Sequence, residues 1–171
     1  MSKAILFLLF FLLCAAVPVM VSAAGNRPTD VWNYYHFDGI AFIPGPPADG
    51  SAFVAVREKA RPVVLSTPTS QIEQTALPKG EGAIAGICYL QSSGGKLGSS
   101  SGFKPYPRVP LLISTGGKEF VTVQTDDYGY FVVVLPAGSY TVGSGQFTVE
   151  ITVERGITTF APLRAGKRMV D

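Results

Sequence analysis

From Gln146 to Val153 the chain reads Gln146-Phe147-Thr148-Val149-Glu150-Ile151-Thr152-Val153, apolar at every odd position and polar at every even one. In a strand, successive side chains point to opposite faces, so this segment predicts a β-strand with one buried and one solvated face. The runs 83–90, 109–114, 120–125, 130–135, 139–142 and 157–162 fit the same scheme. Turn chemistry separates them: Gly116-Gly117, Asp127-Tyr128-Gly129, Pro136-Ala137-Gly138 and Arg155-Gly156 supply positive or preset φ angles. Seven short strands in this stretch predict an all-β, seven-stranded sandwich over residues 83–163, with Ile84, Gly86 and Cys88 sharing one inner face.

Ahead of it, residues 25–82 are rich in Pro and Gly turns, with short β-like runs at 40–43, 52–56 and 63–65. Their apolar content is too small for an independent core, so the reading is an N-terminal arm packed on the main domain. Ser70 and Glu73 offer a cap for a short helical turn over 70–77, closed by Pro78. Residues 164–171 read as a basic C-terminal tail.

The first 24 residues carry Lys3, a run of Leu and Phe, and a small-residue exit at Val21-Ser22-Ala23-Ala24, the pattern of a cleaved signal peptide. A retained membrane anchor, or a lipid on Cys14, are the alternatives. Cleavage implies no stable membrane span and a periplasmic, extracellular or cell-surface location. It leaves thirteen basic residues against twelve acidic ones, which is no nucleic-acid footprint. It also leaves one cysteine, Cys88, so an intramolecular disulfide is excluded and packing must supply the stability.

The stretch from Ile84 to Cys88, the Val109-Pro110-Leu111-Leu112-Ile113 run, and above all Thr125-Asp126-Asp127-Tyr128-Gly129-Tyr130-Phe131 followed by Leu135-Pro136-Ala137-Gly138-Ser139-Tyr140 resemble the carboxypeptidase regulatory-like domain. Its relatives include the transthyretin-like and collagen-adhesin B-type sandwiches. The resemblance covers about half the chain and implies a non-catalytic module. Collagen-adhesin relatives often join a lysine to an asparagine, but the only asparagines here are Asn26 and Asn33, both ahead of the sandwich. In purely physical terms, Asp126 and Asp127 are suited to bond the turning backbone, Gly129 to provide the turn, and Pro136 and Gly138 to make the next one.

The residues offer little for catalysis. His36 is the only histidine, so neither a zinc set nor a catalytic triad can be assembled around several of them. The Gly94–Gly102 insertion lacks phosphate-loop spacing and reads as a surface loop. No cofactor or metal is implied. The most suggestive group is aromatic: Trp32, Tyr34, Tyr35 and Phe37, with Phe103 and Tyr106 on the insertion, are candidate contacts for a glycan or a protein partner. The expected function is a non-catalytic binding or structural module of a cell-envelope or surface assembly. Its alternatives are a carbohydrate-binding module using exposed rings, and a subunit that self-assembles by strand addition from the N-terminal arm. The oligomeric state is not readable.

Overall fold

Seven of the alternating runs become strands because each has an apolar face to hide. The computed structural model describes residues 31–67, 70–94 and 102–170. The signal peptide 1–24 and most of the Gly/Ser insertion lie outside the described residues. Among these residues the secondary structure is all β, in twelve strands: β1 Asn33–Phe37, β2 Phe42–Pro44, β3 Phe53–Val56, β4 Val63–Leu65, β5 Glu81–Gly94, β6 Gly102–Pro105, β7 Pro110–Thr115, β8 Lys118–Gln124, β9 Tyr130–Pro136, β10 Gly138–Ser144, β11 Phe147–Val153 and β12 Thr158–Val170.

Three sheets stack. An outer sheet runs β11-β10-β7-β8, and a central one holds β12-β5, with β9 and β6 both pairing β5. The arm forms the third, in the order β2-β1-β3-β4. All pairings are antiparallel except β12 on β5, which is parallel from Thr158↔Ala83 to Val170↔Gly94. Residues 164–170, read as a tail, are therefore the second half of a long strand. The 70–77 segment forms no helical turn; an isolated bridge joins Ala76 to Ala60.

Between the outer and central sheets lies one core, built from Ile84, Cys88, Leu111, Ile113, Phe131, Leu135, Val142 and Val153 among others. The alternation of β11 turns Ile151 and Val153 into it while Thr148, Glu150 and Thr152 face water. Strand β5 departs from that rule. Residues 82–89 are buried on both faces, because Ala85, Ile87 and Tyr89 pack against the arm sheet in a second core with Phe37, Ala52, Val54 and Tyr130. A central strand covered twice needs small residues where layers approach closely. At Gly86 a Cβ would lie 2.4 Å from the Ala161 carbonyl and from the Phe131 ring.

The arm is thus a full third layer rather than a loose attachment. Its far side holds a third cluster, Phe53, Ala55 and Leu65, covered by Trp32, Tyr34 and Ile72. The Tyr130 hydroxyl, at the mouth of β9, donates to the Ala52 carbonyl at 2.9 Å and ties central sheet to arm.

Candidate functional site

Strand β1 carries Tyr34, Tyr35 and Phe37, with Trp32 just ahead of it, and the alternation of the chain sends these aromatic residues to opposite sides. Trp32 and Tyr34 face outward, Tyr34 meeting Phe53 edge-on with centroids 5.6 Å apart. Tyr35 and Phe37 face the central sheet. Tyr35 lies 4.8 Å from Phe160, and buried Phe37 lies 4.6 Å from Tyr89 and 4.9 Å from Phe103. Phe42 stacks on Phe160 at 4.5 Å. Tyr35, Phe37 and Phe42 hold the arm to the central sheet, and with Trp32 and Tyr34 on the other side the rings present no shared flat platform. Phe37 is buried, and Trp32, Tyr34, Tyr35 and Phe103 are half-buried with part of each ring packed on neighbouring apolar residues. His36, between them, engages the Gly45 carbonyl through Nδ1 at 2.8 Å.

Of the other predicted residues, Tyr106, Asp126, Asp127 and Gly129 meet at one end of the sandwich, where the 106–109 and 125–129 loops lie side by side, while Pro136 and Gly138 lie at the opposite end of β9. Asp126 turns its Oδ1 onto the N–H groups of Tyr128 and Tyr130, at 2.9 and 2.8 Å. Gly129, at φ 78°, completes the turn, and a Cβ there would lie 2.8 Å from the Cys88 carbonyl. Burial raises the Asp126 pKa and outweighs the two amide donors, which pull it down; neighbouring Asp127 raises it further.

Asp127 does not bond the turning backbone as expected. Its Oδ1 instead accepts from Arg108 Nε at 2.9 Å, across a pair whose side chains are 74% and 70% exposed. The β9–β10 turn also differs from expectation: Pro136 pairs with Glu81 at the end of β9, Gly138 opens β10 opposite Val153, and its φ is not left-handed. Ala137 alone carries the chain from the central to the outer sheet, and the Tyr140 hydroxyl braces that step by donating to the Pro136 carbonyl at 2.9 Å.

No family model and no curated protein matches this sequence, so the resemblance to the carboxypeptidase regulatory-like domain has no family match behind it. Among solved structures, it is similar to the crystal structure of GBS52, the minor pilin of the Gram-positive pathogen Streptococcus agalactiae. The two chains are 12% identical, the match covers 76% of this chain and 66% of that one, and the TM-score is 0.37. At that level nothing about function transfers.

Thr125 is the hub of the loop end, and composition gave no sign of it. It is 3% exposed; its Oγ1 accepts from the Val109 amide at 2.9 Å and donates to the Tyr106 carbonyl at 3.1 Å. Main-chain bonds from Arg108 to Thr125, from Thr125 to Val109 and from Tyr106 to Cys88 complete the lattice. Arg108 holds φ at 58°, a conformation that costs a non-glycine residue roughly 1–2 kcal/mol. On this stiff base stand Tyr106, 40% exposed, and Tyr128, 49% exposed. Of the predicted aromatic contacts, Tyr106 is the one left facing solvent; Tyr128, at the apex of the Asp-Asp-Tyr-Gly turn, was the legible signal that turn-reading passed over.

The remaining reactive groups are internal. Cys88 is a buried free thiol whose pKa burial pushes up to about 11, as expected of a small core hydrophobe. Burial likewise pushes the Tyr130 phenol up to about 12. Among the described residues no three His, Cys, Asp or Glu side chains gather as a metal set, and no helix is long and apolar enough to cross a membrane.

Proposed function

We propose that this chain is a non-catalytic module of an exported, cell-envelope or surface assembly, built on a carboxypeptidase regulatory-like sandwich thickened by a third sheet. It docks a protein partner through Tyr106, Arg108 and Tyr128. The observation that carries this reading is the loop end itself: two exposed tyrosines and an arginine, residue types that dominate binding hot spots, are held on a hydrogen-bonded frame rather than on mobile chain. A rigid display loses little entropy when a partner closes over it. The groups that could have served chemistry are engaged in the fold: Cys88 in the main core, His36 against Gly45, and Asp126 on two amides.

Neither alternative from the sequence finds comparable support. Apart from Tyr106, the glycan rings are split between two sides of the arm sheet. The arm that was to donate a strand to a neighbour pairs within its own sheet and packs on its own chain.

The test is affinity capture from the native envelope fraction with residues 25–171, beside the Tyr106→Ala/Tyr128→Ala double variant. A partner captured by the parent and lost by a folded double variant supports the reading. Equal capture by both, or recovery of the native protein in the cytoplasmic fraction, overturns it.

A further inference from the structure

Away from the tyrosine end, three turns from distant parts of the chain enclose a groove of about 600 Å³, lined by Lys59, Leu77, Pro78, Lys79, Glu81 and Arg155 among others. Each turn contributes one cation. What joins the turns is main chain: the Lys59 N–H donates to the Gly156 carbonyl, the Leu77 N–H to the Lys59 carbonyl and the Gly156 N–H to the Glu81 carbonyl, all at 2.8 Å. The positions of the three cations are therefore set by backbone bonds, which leaves their heads unspent.

Lys79 and Arg155 make no ion pair among the described residues. Lys59 reaches only its neighbour Glu58, at 3.6 Å with side chains 80% and 57% exposed, a contact of little energetic weight. Glu81 is the one carboxylate that lines the groove. Lys59 also holds φ at 58°. A glycine would occupy that backbone without strain, so the lysine is kept at a position its own conformation disfavours. Strain retained together with an unspent charge, at the rim of a groove, is what a ligand-facing residue shows and a filler does not.

We propose that this groove is a binding site for a multivalent oxyanion, a ligand carrying closely spaced phosphate or carboxylate groups. Lys59 and Lys79 act as point charges, Arg155 as a fork that can hold two oxygens at once, and Leu77 and Pro78 pack against the ligand's carbon frame. The site is independent of the tyrosine end, and the scaffold reading stands whether or not it is occupied.

Titration calorimetry at low ionic strength, with tripolyphosphate in one arm and pentaglutamate in the other, tests it and tells which oxyanion is preferred. Binding in either arm is expected, weakening as salt is added. Lys59→Gly and Arg155→Gln should each weaken it roughly 3- to 10-fold. Lys59→Gly is the discriminating variant: relief of the left-handed lysine should leave the melting temperature unchanged or higher while binding falls, a split that a purely structural lysine does not produce. No heat with either probe up to about 10 mM, or equal binding by parent and both variants, overturns the proposal.

Discussion

The Oδ1 atom of Asp126 supports the turn on which both the 106–109 and 125–129 loops depend, since it accepts from Tyr128 and Tyr130 while half buried. Asp126→Ala leaves two amides without that acceptor and should cost about 1–2 kcal/mol in urea unfolding. Because burial raises its pKa above 3.8, the folded state favours the protonated form. The stability linked to that proton is fully present at low pH and is lost as pH rises through the folded-state pKa, while the two bonds to the amides are made by the ionised carboxylate as well. Asp126→Asn keeps an acceptor oxygen without the charge, so it should stay within about 0.5 kcal/mol of the parent at neutral pH and flatten the pH dependence of stability; a loss equal to that of the alanine variant would show that charge, not acceptor geometry, holds the turn. Cys88 makes the complementary case. With its pKa pushed up to about 11 inside the core, about one molecule in ten thousand carries a thiolate at pH 7. Iodoacetamide should leave the Cys88 peptide unmodified under native conditions and alkylate it fully in denaturing guanidinium, as read by mass spectrometry.

Strands with one wet face were legible, and strands with none were not. The alternation of Phe147, Val149, Ile151 and Val153 identified β11 directly, because Thr148, Glu150 and Thr152 had to face water. Strand β1 escaped the same reading: its rings point both ways onto two cores, so apolar and polar residues do not alternate along it. The second buried face of β5 was hidden for the same reason, and the parallel β12 pairing joins segments too far apart in sequence for any local pattern to show it. Glycines divide along this line too. Gly138 belongs to the motif behind the family resemblance, yet a Cβ there would meet the Tyr140 ring at an ordinary 3.6 Å; Gly138→Ala should cost less than about 1 kcal/mol. Gly86 makes no turn, yet an alanine there would strike the Ala161 carbonyl and Phe131. Gly86→Ala should cost about 3 kcal/mol or more, or abolish folding, in the same chemical denaturation series.

Sharing a central sheet decides how the molecule behaves as a unit. Ala85, Ile87, Tyr89, Tyr130 and Phe160 present an apolar face that only the arm covers, and the Tyr130–Ala52 hydrogen bond crosses that boundary. Each fully buried side chain of this kind contributes roughly 1.5–3 kcal/mol, so the arm cannot detach without a cost comparable to the whole stability of a small domain. Neither can the arm stand alone, since one face of its sheet is completed by the central one. Residues 25–171 should therefore unfold in a single transition, with circular dichroism and tyrosine fluorescence coincident. A chain shortened to residues 81–171 retains both sheets of the sandwich but bares that face; it should bind a hydrophobic dye and aggregate as its concentration rises. If the shortened chain instead stayed monomeric, left the dye dark and melted at the parent's temperature, the arm would be an appendage and the three-layer account of the core would be wrong.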